Sequence, residues 1–161
     1  MQTNAIHPAV ANMSLGGGFS QSLNDAATAL AGSGVSLAVA AGNSNADACN
    51  TSPASAPGTI TVAASDINDN RASFSNYGGC VDVYGPGVNI TSDWLSGGTN
   101  TISGTSMASP HVAGVAALYK QAYGDQTSDT VYSFIVNNAT ANVIQGNPAG
   151  TVNRLLYTGG L

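Results

Sequence analysis

Near its start the chain carries one arrangement that few folds accommodate: an apolar run, a helix-like run, and a second apolar run, joined by links of only a few residues. "AVANMSLGGG" (9–18) reads as a short strand running into glycines. "SQSLNDAATALAGSG" (20–34) carries Leu23, Ala26, Ala27 and Leu30 at helical spacing, with Ser20 or Ser22 as N-cap and glycines at its end. "VSLAVAAGN" (35–43) is apolar almost throughout, as a strand buried on both faces must be. Parallel strands need a crossover between them, and a helix supplies it. The fold class is therefore α/β with an at least partly parallel sheet. "GTITVAASD" (58–66) adds a strand, and "CVDVYGPGVNI" (80–90) a strand broken by a Gly-Pro-Gly turn. "TNTISGTSMASPHVAGVAALYKQAYG" (99–124) is expected to start as loop and become a long helix. Ala113, Val115, Ala116, Ala117 and Leu118 make that helix apolar nearly all round, so it should be central and buried. "SDTVYSFIVNNAT" (128–140) reads as a further helix capped by Ser128. We expect one domain over residues 1–161.

Charge excludes some functions. The 161 residues hold eight acidic groups, all aspartates, against Lys120, Arg71 and Arg154. Three cations cannot line a phosphate backbone, so nucleic acid is not an expected partner. No apolar run reaches membrane-spanning length. "MQTNAIHPAV" lacks the basic and apolar regions of a secretory leader, and its abrupt entry into a strand leads us to expect a fragment. Cys49 and Cys80 form no C-x-x-C pair; the residues alone leave two buried thiols or one disulfide open.

"GTSMASPHVAG" (104–114) delivers Ser106 to the start of the long helix, where free N–H groups and the helix dipole favour negative charge. A serine there can place its own N–H beside an oxyanion, but its hydroxyl needs a proton acceptor. His111 lies five helical residues on, which turns its side chain about 140° away and sets it about 7.5 Å along the axis. We expect it to be a packed helix histidine and not the base. His7 is expected at the surface, with no carboxylate motif beside it in the sequence, and Lys120 is given no role as base. G-x-S-x-A approaches the nucleophile turn of the α/β-hydrolases, but that family orders Ser, then an acid, then His. Here Asp125 and Asp129 follow Ser106 and no histidine follows them. An order of Asp, His, Ser would put both partners before residue 1.

"SGTSMASPHVAG" resembles the nucleophile motif of the subtilisin-like serine proteases. "VANMSLGGG", "VAAGNSNADACNTSPAS", "SFSNYGGCVDVYGPG" and "GTVNRLLY" are similar, in order, to further segments of that family's proteinase K branch. The resemblance implies the family's parallel-sheet, three-layer fold, here incomplete, and a secreted serine endopeptidase acting on peptide or protein substrates. By matching position it implies Ser106 as nucleophile and Asn43 as side-chain donor to the oxyanion. Ser14, Leu15 and Gly16 would pair with substrate backbone, and Ala40, Ala41 and Gly42 would line the other wall of the pocket. Calcium would sit on Pro57 and Thr59 carbonyls and the Asp82 carboxylate, a hard-oxygen set suited to that ion. Cys49 and Cys80 would be bonded, and Met107 would be prone to oxidation. The family's aspartate and histidine motifs, D-T-G-like and H-G-T-H-like, have no match. The expected consequence is a chain inactive alone, whose partner is the missing N-terminal half of the domain. The alternative is a truncated, non-catalytic relative that binds peptides in the "SLGGG" groove.

Overall fold

The computed structural model describes residues 6–161, so the leader expectation for residues 1–5 lies outside it. The chain order is β1 (Val10–Met13), β2 (Gly17–Gly18), α1 (Gln21–Gly32), β3 (Ser36–Ala40), β4 (Thr51–Ser52), β5 (Ile60–Ser65), β6 (Val83–Pro86), β7 (Ile90–Asp93) and β8 (Thr99–Ile102). Then come α2 (Thr105–Tyr123), α3 (Ser128–Asn138), β9 (Thr140–Ala141) and β10 (Arg154–Leu155). Six strands make one sheet in the order β1-β3-β5-β6-β10-β9, parallel except where β9 runs against β10.

Side chains alternate across a strand, and the alternation sorts the core into two layers. Ala38 of β3, Ile60, Val62 and Ala64 of β5, and Val83 of β6 face α2 and α3, packing with Ala108, Val112, Val115, Val131 and Ile135. Leu37 and Val39 point the other way, onto Ala27, Leu30 and Ala31 of α1. Every residue of β3 and β5 is buried, as a strand covered on both sides must be. Helix α2 crosses the sheet closely: a Cβ at Gly85 would come within 3.1 Å of the Ala108 carbonyl oxygen.

Several details differ from the sequence reading. Ser20 is the cap of α1, its side chain accepting from the Leu23 N–H. Asn24 is buried on α1 while Ala26 faces solvent, because Asn24 Nδ2 reaches Ser55 Oγ at 2.9 Å. Helix α2 is not buried all round. It covers a sheet on one side only, so Ala117 and Leu118 stay exposed. Lys120 lies on its buried side, where Nζ donates to the Gly34 carbonyl at 2.7 Å and pairs with Asp125 at 3.2 Å. Thr127, not Ser128, caps α3; Ser128 Oγ donates instead to the Ala31 carbonyl. Residues 99–102 are not loop. They pair with β7 as an antiparallel hairpin. His7 is exposed and does have a carboxylate: its Nδ1 lies 3.2 Å from Asp125, brought there by folding and not by sequence proximity. Cys49 and Cys80 are bonded to each other.

Candidate active site

The site forms where β1 and β3 end at their carboxyl termini and α2 begins. Ser106 is the second residue of α2, half-buried, and its N–H is one of the first-turn donors that a helix leaves without an internal partner. Pro110 lies one turn further on. It has no N–H, so the Ser106 carbonyl receives no helical bond from it. Ser14, just past β1, fills that place: its hydroxyl donates to the Ser106 carbonyl at 2.7 Å. In return the Ser106 hydroxyl donates to the Ser14 carbonyl at 3.1 Å. The hydroxyl of Ser106 thus sits at the exposed end of a strand, held by an acceptor that cannot take its proton.

Asn43 follows β3 through Ala40, Ala41 and Gly42. Its Oδ1 accepts from both the N–H and the hydroxyl of Thr105, at 2.8 and 2.9 Å. Thr105 Oγ1 accepts in turn from the Gly42 N–H at 3.1 Å. With its oxygen committed to Thr105, the Asn43 amide has its Nδ2 hydrogens left for another acceptor, and Asn43 is exposed and lines the same cleft as Ser106. That cleft, of about 390 Å³, brings Ser106 and Asn43 together with Leu15, Gly16, Ala40, Ala41 and Gly42. Leu15 is 54% exposed at its rim. Past it Gly17 and Gly18 pair with Ser52 and Thr51, which ends the unpaired stretch Ser14–Gly16.

Neither histidine serves Ser106. His111 is exposed, contrary to the packed position expected, and its Nδ1 contacts the Met107 carbonyl at 2.8 Å. Among the described residues no imidazole shares a hydrogen bond with the Ser106 hydroxyl.

A second cleft, of about 330 Å³, gathers Pro57, Thr59 and Asp82 with Asp129 and Tyr132. Asp82 Oδ2 accepts from the Thr61 N–H at 2.7 Å and Oδ1 from the Tyr132 hydroxyl at 2.8 Å. Burial pushes the Asp82 carboxyl up from its ordinary value, against the pull of those two donors and of the Arg154 charge. A desolvated carboxylate without a hydrogen-bonded cation, with a second carboxylate at the rim, is a donor set that a calcium ion fits.

Ligands of α/β sheets bind beyond the carboxyl ends of the strands, and Ser106, the Asn43 amide and the strand exit Ser14–Gly16 all lie at that end of this sheet. The chain belongs to the subtilase family of peptidases, S8, whose family model matches residues 2–155. It is 57% identical to a cuticle-degrading protease of Metarhizium anisopliae over 94% of this chain and 39% of that protein. It is 50% identical to proteinase R of Parengyodontium album over 96% of this chain and 40% of that protein. Among solved structures, a cold-adapted subtilisin-like serine proteinase superposes with a TM-score of 0.95 at 52% identity, covering 98% of this chain and 57% of that one. The chain spans about two fifths of the length of those protease relatives. Its fold is accordingly a part of a subtilisin-like domain.

The sequence reading missed Thr105 and Asn76. Both are buried polar residues next to recognised motifs, and only three-dimensional pairing reveals what they hold. The β7–β8 hairpin did have a signal: alternating β-branched residues in "ITSDWLSGGTNTI" around a Gly-Gly pair.

Proposed function

We propose that this chain is the nucleophile-bearing part of a secreted serine endopeptidase that cleaves peptide bonds through an acyl-enzyme on Ser106. The observation that carries the reading is the reciprocal placement of Ser106 against Ser14 with the Asn43 amide fixed beside them. Peptide backbone would lie along Ser14–Gly16, with the residue before the cut between Leu15 and Ala40–Gly42. As the carbonyl becomes tetrahedral, the Ser106 N–H and Asn43 Nδ2 would donate to its oxygen. Such fixed donors act where charge develops and need no reorganisation during the reaction. The base and its orienting acid would come from an N-terminal half of the domain, and the chain alone is inactive for want of them. Calcium, where bound, would be held by the Pro57 and Thr59 carbonyls and Asp82, and would tie the start of β5 to β6 as a structural ion.

A serine-directed fluorophosphonate probe tests this. Labelling of Ser106 in the chain alone should be slower, by roughly 10²–10⁴, than in a mixture with the N-terminal half of a relative's domain, the usual contribution of a general base. Equal, rapid labelling without that half would overturn the claim that the base is absent. No acceleration on mixing, with peptide binding retained, would favour the non-catalytic peptide-binding relative.

A further inference from the structure

We propose that Asn76 is the positioning residue that sets the loop carrying Asn43; the inference rests on Asn43 being the oxyanion donor. Asn76 lies in "FSNYGG", before β6, and is fully buried. A buried side-chain amide has to be satisfied by the protein, and among the described residues the partners of this one all lie in the segment Ala41–Ala46. Its Nδ2 donates to the Ala41 carbonyl at 2.9 Å. Its Oδ1 accepts from the N–H groups of Ser44 and Ala46, at 3.0 and 3.1 Å, using both lone pairs. Its backbone N–H donates to the Gly42 carbonyl at 2.9 Å. One residue thus bonds on both sides of Asn43 without a hydrogen bond to Asn43 itself.

The division of labour is clear in the geometry. Thr105 sets the orientation of the Asn43 side-chain amide. Asn76 sets where the Asn43 backbone stands. Gly42 has φ +106°, and a Cβ there would overlap Asn76 Nδ2, so only glycine leaves the space that the amide occupies. Arg71 reinforces the same loop, donating to Asn45 Oδ1 at 3.0 Å and to the Ser75 carbonyl. Serine is too short to span Ala41 to Ala46. Aspartate keeps the acceptor but turns an oxygen towards the Ala41 carbonyl.

The test uses the ¹⁵N-labelled chain and two variants, Asn76→Ser and Asn76→Asp, each checked for a folded state by circular dichroism. In the wild type the Ser44 and Ala46 amides should be protected from exchange, and the Asn43 side-chain NH₂ should give one sharp pair. Asn76→Ser should speed exchange at both amides by roughly tenfold, the equivalent of one ordinary hydrogen bond, and should shift or broaden the Asn43 pair. Asn76→Asp should retain more of the protection at Ser44 and Ala46 but still move the Asn43 pair. If Asn76→Ser does not fold, Asn76→Asp carries the test. An Asn43 pair unchanged in a folded variant overturns the proposal. In the catalytically complete domain, Asn76→Asp should lower kcat about 10- to 100-fold, as small misplacements do, with KM within about twofold. Added to Asn43→Ala, it should cost no more. Full additivity also overturns the proposal. A kcat unchanged by Asn43→Ala alone would instead defeat the reading of Asn43, and leave the exchange result standing on its own.

Discussion

Replacing both bonded cysteines, as Cys49→Ala with Cys80→Ala, removes a cross-link between residues 31 apart in sequence. The link joins the turn after the Asn43 loop to the segment after Asn76, so it fastens the two strips of chain that form one side of the cleft. Its effect lies chiefly in the unfolded state, where closing a loop of that length removes conformational freedom worth about 4 kcal/mol at 25 °C on the chain-entropy account. Alanine keeps the Cβ of half-buried Cys80 against Ala41, Ala48 and Val81, so little packing is lost in the folded state. For a chain of this size each kcal/mol moves Tm by roughly 2–4 °C, so the double variant should melt about 8–16 °C lower. The assay is a pair of thermal melts of wild type and variant without reductant, repeated with dithiothreitol, where the two curves should converge. A difference below about 3 °C, or a wild type indifferent to reductant after its thiols are shown to be free, would refute the argument.

Three further outcomes follow from the site and the core. Ser14→Ala removes the donor to the Ser106 carbonyl and should lower stability by about 1 kcal/mol in urea unfolding; an unchanged midpoint would show that water replaces the hydroxyl freely. The Tyr84 phenol is pushed up to about 12 from 10.0 by burial, so the folded state holds that proton more tightly than the unfolded chain. Its stability contribution is fully present below pH 10 and is lost as pH rises from 10 to about 12. Tyr84→Phe should flatten the alkaline limb of the stability profile, and an identical limb would contradict the assignment. Calcium at a hundredfold excess over its Kd should stabilise the wild type by about 2.7 kcal/mol and leave Asp82→Asn unmoved; equal gains in both would place the ion elsewhere.

The sheet was legible because its signals are local. "VSLAVAAGN" has no polar face to offer, and β3 is indeed buried at every position. The βαβ reading needed only short links and the helical spacing of Leu23, Ala27 and Leu30. The one-sided exposure of α2 was not legible, since alanine reads as apolar whether a neighbour covers it or not. The site divided in the same way. The motifs led to Ser106 and Asn43, whereas Asn76 reaches Ala41 and Ser44, on either side of Asn43, across 30 or more positions through bonds that leave no periodicity in the sequence. His7 and Asp125 meet only because β1 and the α2–α3 link share one end of the fold.

Pro110 gives the serine's turn a mechanical character of its own. By leaving a carbonyl vacant one turn back, it lets a hydroxyl from the far end of another strand dock where the helix would otherwise have closed on itself. The start of the helix at Ser106 and the strand exit at Ser14 are then joined at two points. A displacement of either one carries the other with it, so alignment between them survives small movements of the helix as a whole.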